Sequence, residues 1–162
     1  MTSTILLPDF PPYSTRYGDG AMFREQDDLA DIAGFYKAFG VGVDPGRKER
    51  PDHLSVELEF LALLCFKERI ALAEEDPEKT EVTVEAERRF LRDYVGPFLF
   101  SVVEGLRARS APPIFLAWAS VLHELLLVEH ARLFLPVPET VRARIPATGM
   151  EYGPMACLGD IA

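Results

Sequence analysis

The sequence predicts an all-α protein, a compact bundle of about five to seven helices with an irregular N-terminal arm and C-terminal tail. Apolar residues recur at helical spacing in segment after segment between Asp27 and Leu135. Proline and glycine punctuate the ends of those segments, and the alternation expected of a half-buried strand is missing. At 162 residues and 48% hydrophobic, the chain suits one domain, 1–162, with side chains enough for a core.

Residues 1–26 read as an extended arm, because Pro8, Pro11 and Pro12 fix φ while Gly18 and Gly20 permit turns. Aromatics Phe10, Tyr13 and Tyr17 are placed to pin it to a core. A first helix is expected from Asp27 to Phe39, capped by Asp27 or Asp28 and stopped by Gly40 and Gly42. Gly34 within it suggests close packing of another element. A long second helix runs from about Pro51 to Glu75, its apolar stripe broad enough to make it central. Pro77 stops it, and Thr80 or Thr83 caps a third, roughly Glu81 to Val95. Gly96-Pro97 interrupts that helix, since Pro97 has no N–H for the carbonyl of Asp93. Phe90, Tyr94, Phe98, Val102 and Leu106 nevertheless keep step into a fourth helix ending near Arg109. Pro113 opens a fifth, reaching about Leu135 and placed in the core by Trp118, Leu122, Leu125, Leu126 and Val128. From Pro136 onward the chain reads as irregular tail.

Charge and motifs exclude several functions. The formal charge is -9, which opposes a phosphate backbone, so no nucleic-acid partner is expected. The start lacks the pattern of a secretory signal. The apolar run Pro112–Val128 carries His123 and Glu124 and is short for a membrane span, which makes the cytoplasm the expected location. A di-iron centre needs E-x-x-H, but the residues three before His53, His123 and His130 are Arg50, Ser120 and Leu127. His123-Glu124 fails to complete H-E-x-x-H because Leu127 holds the last position. No phosphate-cradling loop and no nucleophile elbow occurs, so no cofactor, metal or catalytic residue is expected. Cys65 sits in an apolar stripe and reads as buried and inert. Seven acids between Glu74 and Glu87 read as a solvated run able to steer a cationic partner.

The informative segment is Pro51-Asp52-His53-Leu54-Ser55-Val56-Glu57-Leu58-Glu59-Phe60-Leu61. On its residues alone it is a well-capped helix start: Pro51 fixes the first turn, Asp52 accepts first-turn N–H bonds, and His53 and Glu57 are i, i+4 neighbours able to hydrogen-bond across one turn. It also resembles the signature helix of the TorD/DmsD/NarJ family of molybdoenzyme maturation chaperones. Pro11-Pro12-Tyr13-Ser14 with Tyr17-Gly18 resembles that family's proline–tyrosine segment. Phe35-Tyr36-Lys37-Ala38-Phe39-Gly40 is similar to its F-Y-x-x-F-G helix end, and Phe90-Leu91 through Pro97-Phe98 lies where it carries a second signature. In that second signature Asp93-Tyr94 replaces the usual His-Leu.

The resemblance implies a binding protein, not an enzyme. Its partners would be the apo catalytic subunit of a dimethyl-sulfoxide-reductase-type molybdenum enzyme and that enzyme's twin-arginine leader, with export or assembly delayed until the cofactor is inserted. Carboxylates of Asp52, Glu57 and Glu59 would pair with the guanidiniums, while Leu54, Tyr13, Tyr17 and Phe10 take the apolar stretch and His53 tunes affinity with pH. The alternative is a NarJ-like assembly factor for a non-exported subunit, without leader recognition; nucleotide hydrolysis is a third reading that no loop supports. Family members carry further helices ahead of the proline–tyrosine segment. This chain is therefore expected to be a shortened member, or to complete its bundle by pairing or domain swapping with a second copy.

Overall fold

The computed structural model describes residues 11–17, 22–42, 46, 49–108 and 111–139. They form five α-helices: α1 (Met22–Ala38), α2 (Leu54–Ala73), α3 (Pro77–Phe90), α4 (Gly96–Ala108) and α5 (Pro113–Arg132). A 3-10 turn, Ser14–Arg16, precedes α1, and a π turn, Leu91–Val95, joins α3 to α4 without a break. The all-α class is as expected. Because α3, the π turn and α4 make one continuous rod, the helical rods number four, just below the five to seven expected. Phe10 and the tail beyond Glu139 lie outside the described residues.

Several boundaries differ from the sequence reading, each for a local reason. α1 starts at Met22, inside the stretch read as arm. α2 starts at Leu54 rather than Pro51, and its cap is His53, whose Nδ1 accepts the N–H of Ser55. α3 starts at Pro77 itself: Asp76 caps it by accepting the Lys79 N–H at 3.0 Å, and proline tolerates the first turn. Pro97 does not end the rod. The i→i+5 bonding of the π turn absorbs its missing donor.

Gly96 is required there, because a Cβ would sit 2.7 Å from the Leu91 carbonyl oxygen and 2.9 Å from Nε2 of His130. Gly34, by contrast, has nothing within 4 Å of where a Cβ would be, so the close packing expected at that position is not found.

Three helices close in the same way. In α1, Val41 N–H donates to Tyr36 and Gly40 N–H to Lys37, with Gly40 at φ 77°. The paired bonds Asp76→Ala71 with Glu75→Leu72 and Leu135→His130 with Phe134→Ala131 repeat this motif after α2 and α5. There the left-handed position is held by Glu75 (φ 54°) and Phe134 (φ 55°), without the steric relief of glycine.

The core is aromatic and sits where α1, α2 and α3 meet. Phe60 packs on Tyr36 at 4.7 Å and on Phe90 at 4.8 Å, and Phe35 meets Phe90 edge-on at 5.4 Å. Tyr17 carries the N-terminal segment onto Phe98 at 4.8 Å. Edge-to-face contacts of this kind add to the burial of large rings. α2 is central as expected, burying Glu57, Phe60, Leu64 and Ala71.

α5 is not. It buries only Ala119, Leu126 and His130, and leaves Trp118, Leu125 and Val128 half exposed or more. It is also the one described helix long and apolar enough to cross a membrane, judged by length and composition.

Candidate functional site

The Pro51–Glu59 segment is anchored by the N-terminal arm. Tyr13 and His53 pair as an antiparallel bridge, with Leu54 N–H donating to the Pro12 carbonyl at 2.8 Å and Ser14 N–H to the Asp52 carbonyl at 3.0 Å. The extended backbone of an X-Pro-Pro segment suits this strand-like pairing. The bridge sets Ser14 and Thr15 directly over the first turn of α2.

Asp52 and Glu57 are both fully buried, at 0% exposure. Asp52 accepts the Thr15 hydroxyl at 2.6 Å and two Arg50 N–H groups at 2.9 Å each. Arg50 also donates to Glu25 at 2.8 Å and lies 5.0 Å over the Tyr13 ring. Glu57 Oε1 accepts the Ser14 hydroxyl at 2.5 Å, while its Oε2 is buried without a hydrogen-bond partner. Burial pushes the Glu57 carboxyl up to about 8; the Ser14 bond opposes the rise and the Asp52 charge adds to it. At neutral pH this side chain is therefore mostly a neutral acid, not an anion.

Two expectations are corrected here. Asp52 does not cap α2: its oxygens are taken by Thr15 and Arg50, and the cap falls to His53. His53 does not bond Glu57 either. Its Nδ1 meets the Ser55 hydroxyl at 2.8 Å and its Nε2 lies 3.8 Å from Glu49. Pro51 contributes its carbonyl, which accepts the Tyr36 hydroxyl at 2.7 Å and ties α1 to the start of α2.

Of the residues expected to meet a peptide, Asp52, Glu57 and Tyr17 face inward, and Tyr17 keeps its hydroxyl buried and unpartnered. Pro51, His53, Leu54 and Tyr13 are partly exposed, and Glu59 is exposed. Glu59 stands on the rim of an apolar hollow of about 270 Å³ lined by Tyr36, Val41, Val56, Phe60 and Leu63. The sequence reading missed Ser14 and Thr15 as partners, and missed Arg50 and Glu25 altogether. An arginine immediately before Pro-Asp was the one available signal, since a buried aspartate needs a counter-charge.

The remaining candidate residues are settled by packing. Cys65 is exposed, not buried as expected. Its thiol is still pushed up to about 11, chiefly by partial burial and then by the carboxylates of Glu87 and Glu129, which favours the thiol over the thiolate at neutral pH. His123 and His130 both present an edge to Phe100, at 5.7 and 5.4 Å. His130 Nδ1 donates to the Pro136 carbonyl at 2.8 Å, because a carbonyl can only accept. Among the described residues no cluster of three His, Cys, Asp or Glu is placed to hold a metal ion.

The arm-and-helix junction lies within a stretch of chain that matches a known family. The family described as nitrate reductase delta subunit matches residues 6–104, more than half of the chain. The chlorate reductase assembly chaperone of Ideonella dechloratans is 33% identical over 105 residues, 65% of this chain and 52% of that protein. The dimethyl sulfide dehydrogenase assembly chaperone of Rhodovulum sulfidophilum is 39% identical over 84 residues, 49% of this chain and 32% of that protein. The selenate reductase assembly chaperone of Thauera selenatis is 31% identical over 111 residues, 68% of this chain and 55% of that protein. The chain thus spans between a third and about half of the length of these relatives. No solved structure matches it. With its arm-and-helix junction, its Pro-Asp-His helix start and helices α1 to α3 inside the matched region, the chain belongs to the nitrate reductase delta subunit family of molybdoenzyme assembly chaperones.

Proposed function

We propose that the protein acts in the cytoplasm as a chaperone, without catalysis of its own, for the apo catalytic subunit of a molybdenum enzyme. The observation that carries this reading is the match of residues 6–104 to a chaperone family, joined to a junction built by the same stretch of chain. We place the peptide-contacting face on Glu59 and the hollow beside it, flanked by His53, Leu54 and Tyr13. A twin-arginine leader would offer guanidiniums to the exposed carboxylate and its apolar stretch to the hollow. Pro51, Asp52, Glu57 and Tyr17 act there as the platform that holds this face, because their polar atoms are turned inward.

Calorimetric titration with a synthetic twin-arginine leader tests this. Replacing both arginines by alanine is expected to weaken binding at least tenfold, and Glu59→Gln several-fold. Equal affinity for the two leaders would overturn leader recognition.

The second reading is an assembly factor that grips the mature subunit and ignores leaders. It is favoured by Asp52, whose carboxylate is already occupied by the chain's own Arg50. Capture of an apo catalytic subunit that lacks any leader, with no heat on leader titration, is the result that reading expects.

A further inference from the structure

Ile114, Trp118, Val121, Leu125 and Val128 follow one another along α5 at intervals of four, three, four and three residues. All five are between 51 and 61% exposed. A mean spacing of 3.5 is that of a helix–helix seam, where alternate side chains enter holes on a facing helix. On a soluble helix such positions are normally covered. At roughly 100 Å² for a large side chain this exposed, the stripe presents on the order of 500 Å² of apolar surface, in the upper part of the range for the largest patch on a monomer, where such patches are often functional.

We propose that this stripe is the seam of a homodimer, in which α5 packs antiparallel against α5 of a second copy. Self-complementarity favours that occupant. A two-fold axis between Trp118 and Val121 sets Trp118 against the partner's Val121 and Ile114 against the partner's Leu125, a large side chain facing a smaller one in the central layers. Pairing two such stripes removes about 1,000 Å² in all, the lower bound of a specific interface.

Charge fixes the direction. From Pro113 to Leu122 there is no charged residue. A parallel pair would bring Glu124 beside the partner's Glu129 twice. The antiparallel pair places Glu124 nine residues out of register with the partner's Glu124, about 13 Å along the axis and beyond a Debye length at physiological salt.

The end of α5 is also unsuited to lipid. Arg132 there bonds Glu68 of α2 at 2.9 Å and Glu87 of α3, which holds the helix on the bundle.

Trp118 is the sole tryptophan and reports directly on the seam. Sedimentation velocity on the full chain from about 1 to 100 µM is expected to show a monomer–dimer equilibrium. Trp118 emission should move to shorter wavelength with the same midpoint. Val121→Glu should give a monomer with red-shifted emission and an unchanged far-ultraviolet helix signal. If that variant misfolds, dilution of the natural chain decides alone. A monomer at every concentration overturns the proposal. So does a dimer indifferent to Val121→Glu, a blue emission independent of concentration (the chain's own tail as cover), or a shift seen only on adding phosphatidylglycerol vesicles (a lipid surface).

Discussion

Glu57 holds a proton that its unfolded counterpart gives up. The folded carboxyl titrates near 8 against an ordinary value of 4.5, because burial outweighs the hydrogen bond from Ser14. Between those two pH values the native chain binds one proton more than the unfolded chain, so stability falls as pH rises. The contribution is complete below about 4.5 and is lost as pH climbs through about 8. Glu57→Gln keeps the shape and the acceptor oxygen for Ser14 but removes the ionisation. Thermal unfolding should show the variant more stable than the natural chain at pH 8, by about 2 kcal/mol or more. The difference should shrink towards zero near pH 5. A variant less stable at pH 8 would mean that Glu57 is an anion in the native state.

At the scale of elements, two glycines in helices invite the same substitution and should answer with opposite sign. Alanine is favoured over glycine inside a helix by about 1 kcal/mol. At Gly34 of α1 nothing opposes that preference, so Gly34→Ala is expected to stabilise by about 0.5–1 kcal/mol. At Gly96 the new methyl meets a backbone carbonyl and the buried His130 ring, neither of which can swing aside. Gly96→Ala is therefore expected to destabilise by about 1–3 kcal/mol. Chemical denaturation of the two variants, scored by midpoint at constant slope, checks both.

The pair also shows what was legible in the sequence. Helical periodicity and the Gly-Pro signal placed a discontinuity at residues 96–97, and the apolar frame from Phe90 to Leu106 was read correctly as continuous. That Gly96 must lack a side chain follows from His130, which arrives from 34 residues away, and no local pattern encodes that. The same holds at the candidate site. Pro51 to Glu59 was legible as a special segment, but the hydroxyl partners of Asp52 and Glu57 are Thr15 and Ser14, 37 and 43 positions upstream. α5 was misread for a related reason: an apolar helix with no polar face looks the same in sequence whether its own chain or another covers it.

Across the whole molecule, Arg132 ties the last described helix to the rest. It bonds Glu129 on its own helix at 2.8 Å, Glu68 of α2 at 2.9 Å, and the buried Glu87 of α3. Burial raises the Glu87 carboxyl above its ordinary value, and the Arg132 bond and charge oppose that rise. Taking the arginine away leaves a carboxyl 1% exposed, one of whose oxygens already lacks a partner. Losing one member of such a pair costs far more than losing both, because the orphaned charge keeps its desolvation penalty. Arg132→Gln should therefore destabilise by about 2–3 kcal/mol at pH 8, and by progressively less as pH falls, because burial favours the neutral form of Glu87. Adding Glu87→Gln to Arg132→Gln should recover most of the loss at pH 8 and less of it as pH is lowered. A double-mutant cycle run at pH 8 and at lower pH measures this. An additive cycle at pH 8 would show that Arg132 is held by the half-buried carboxylates of Glu68 and Glu129 alone, and that α5 stays on the bundle by packing against α4.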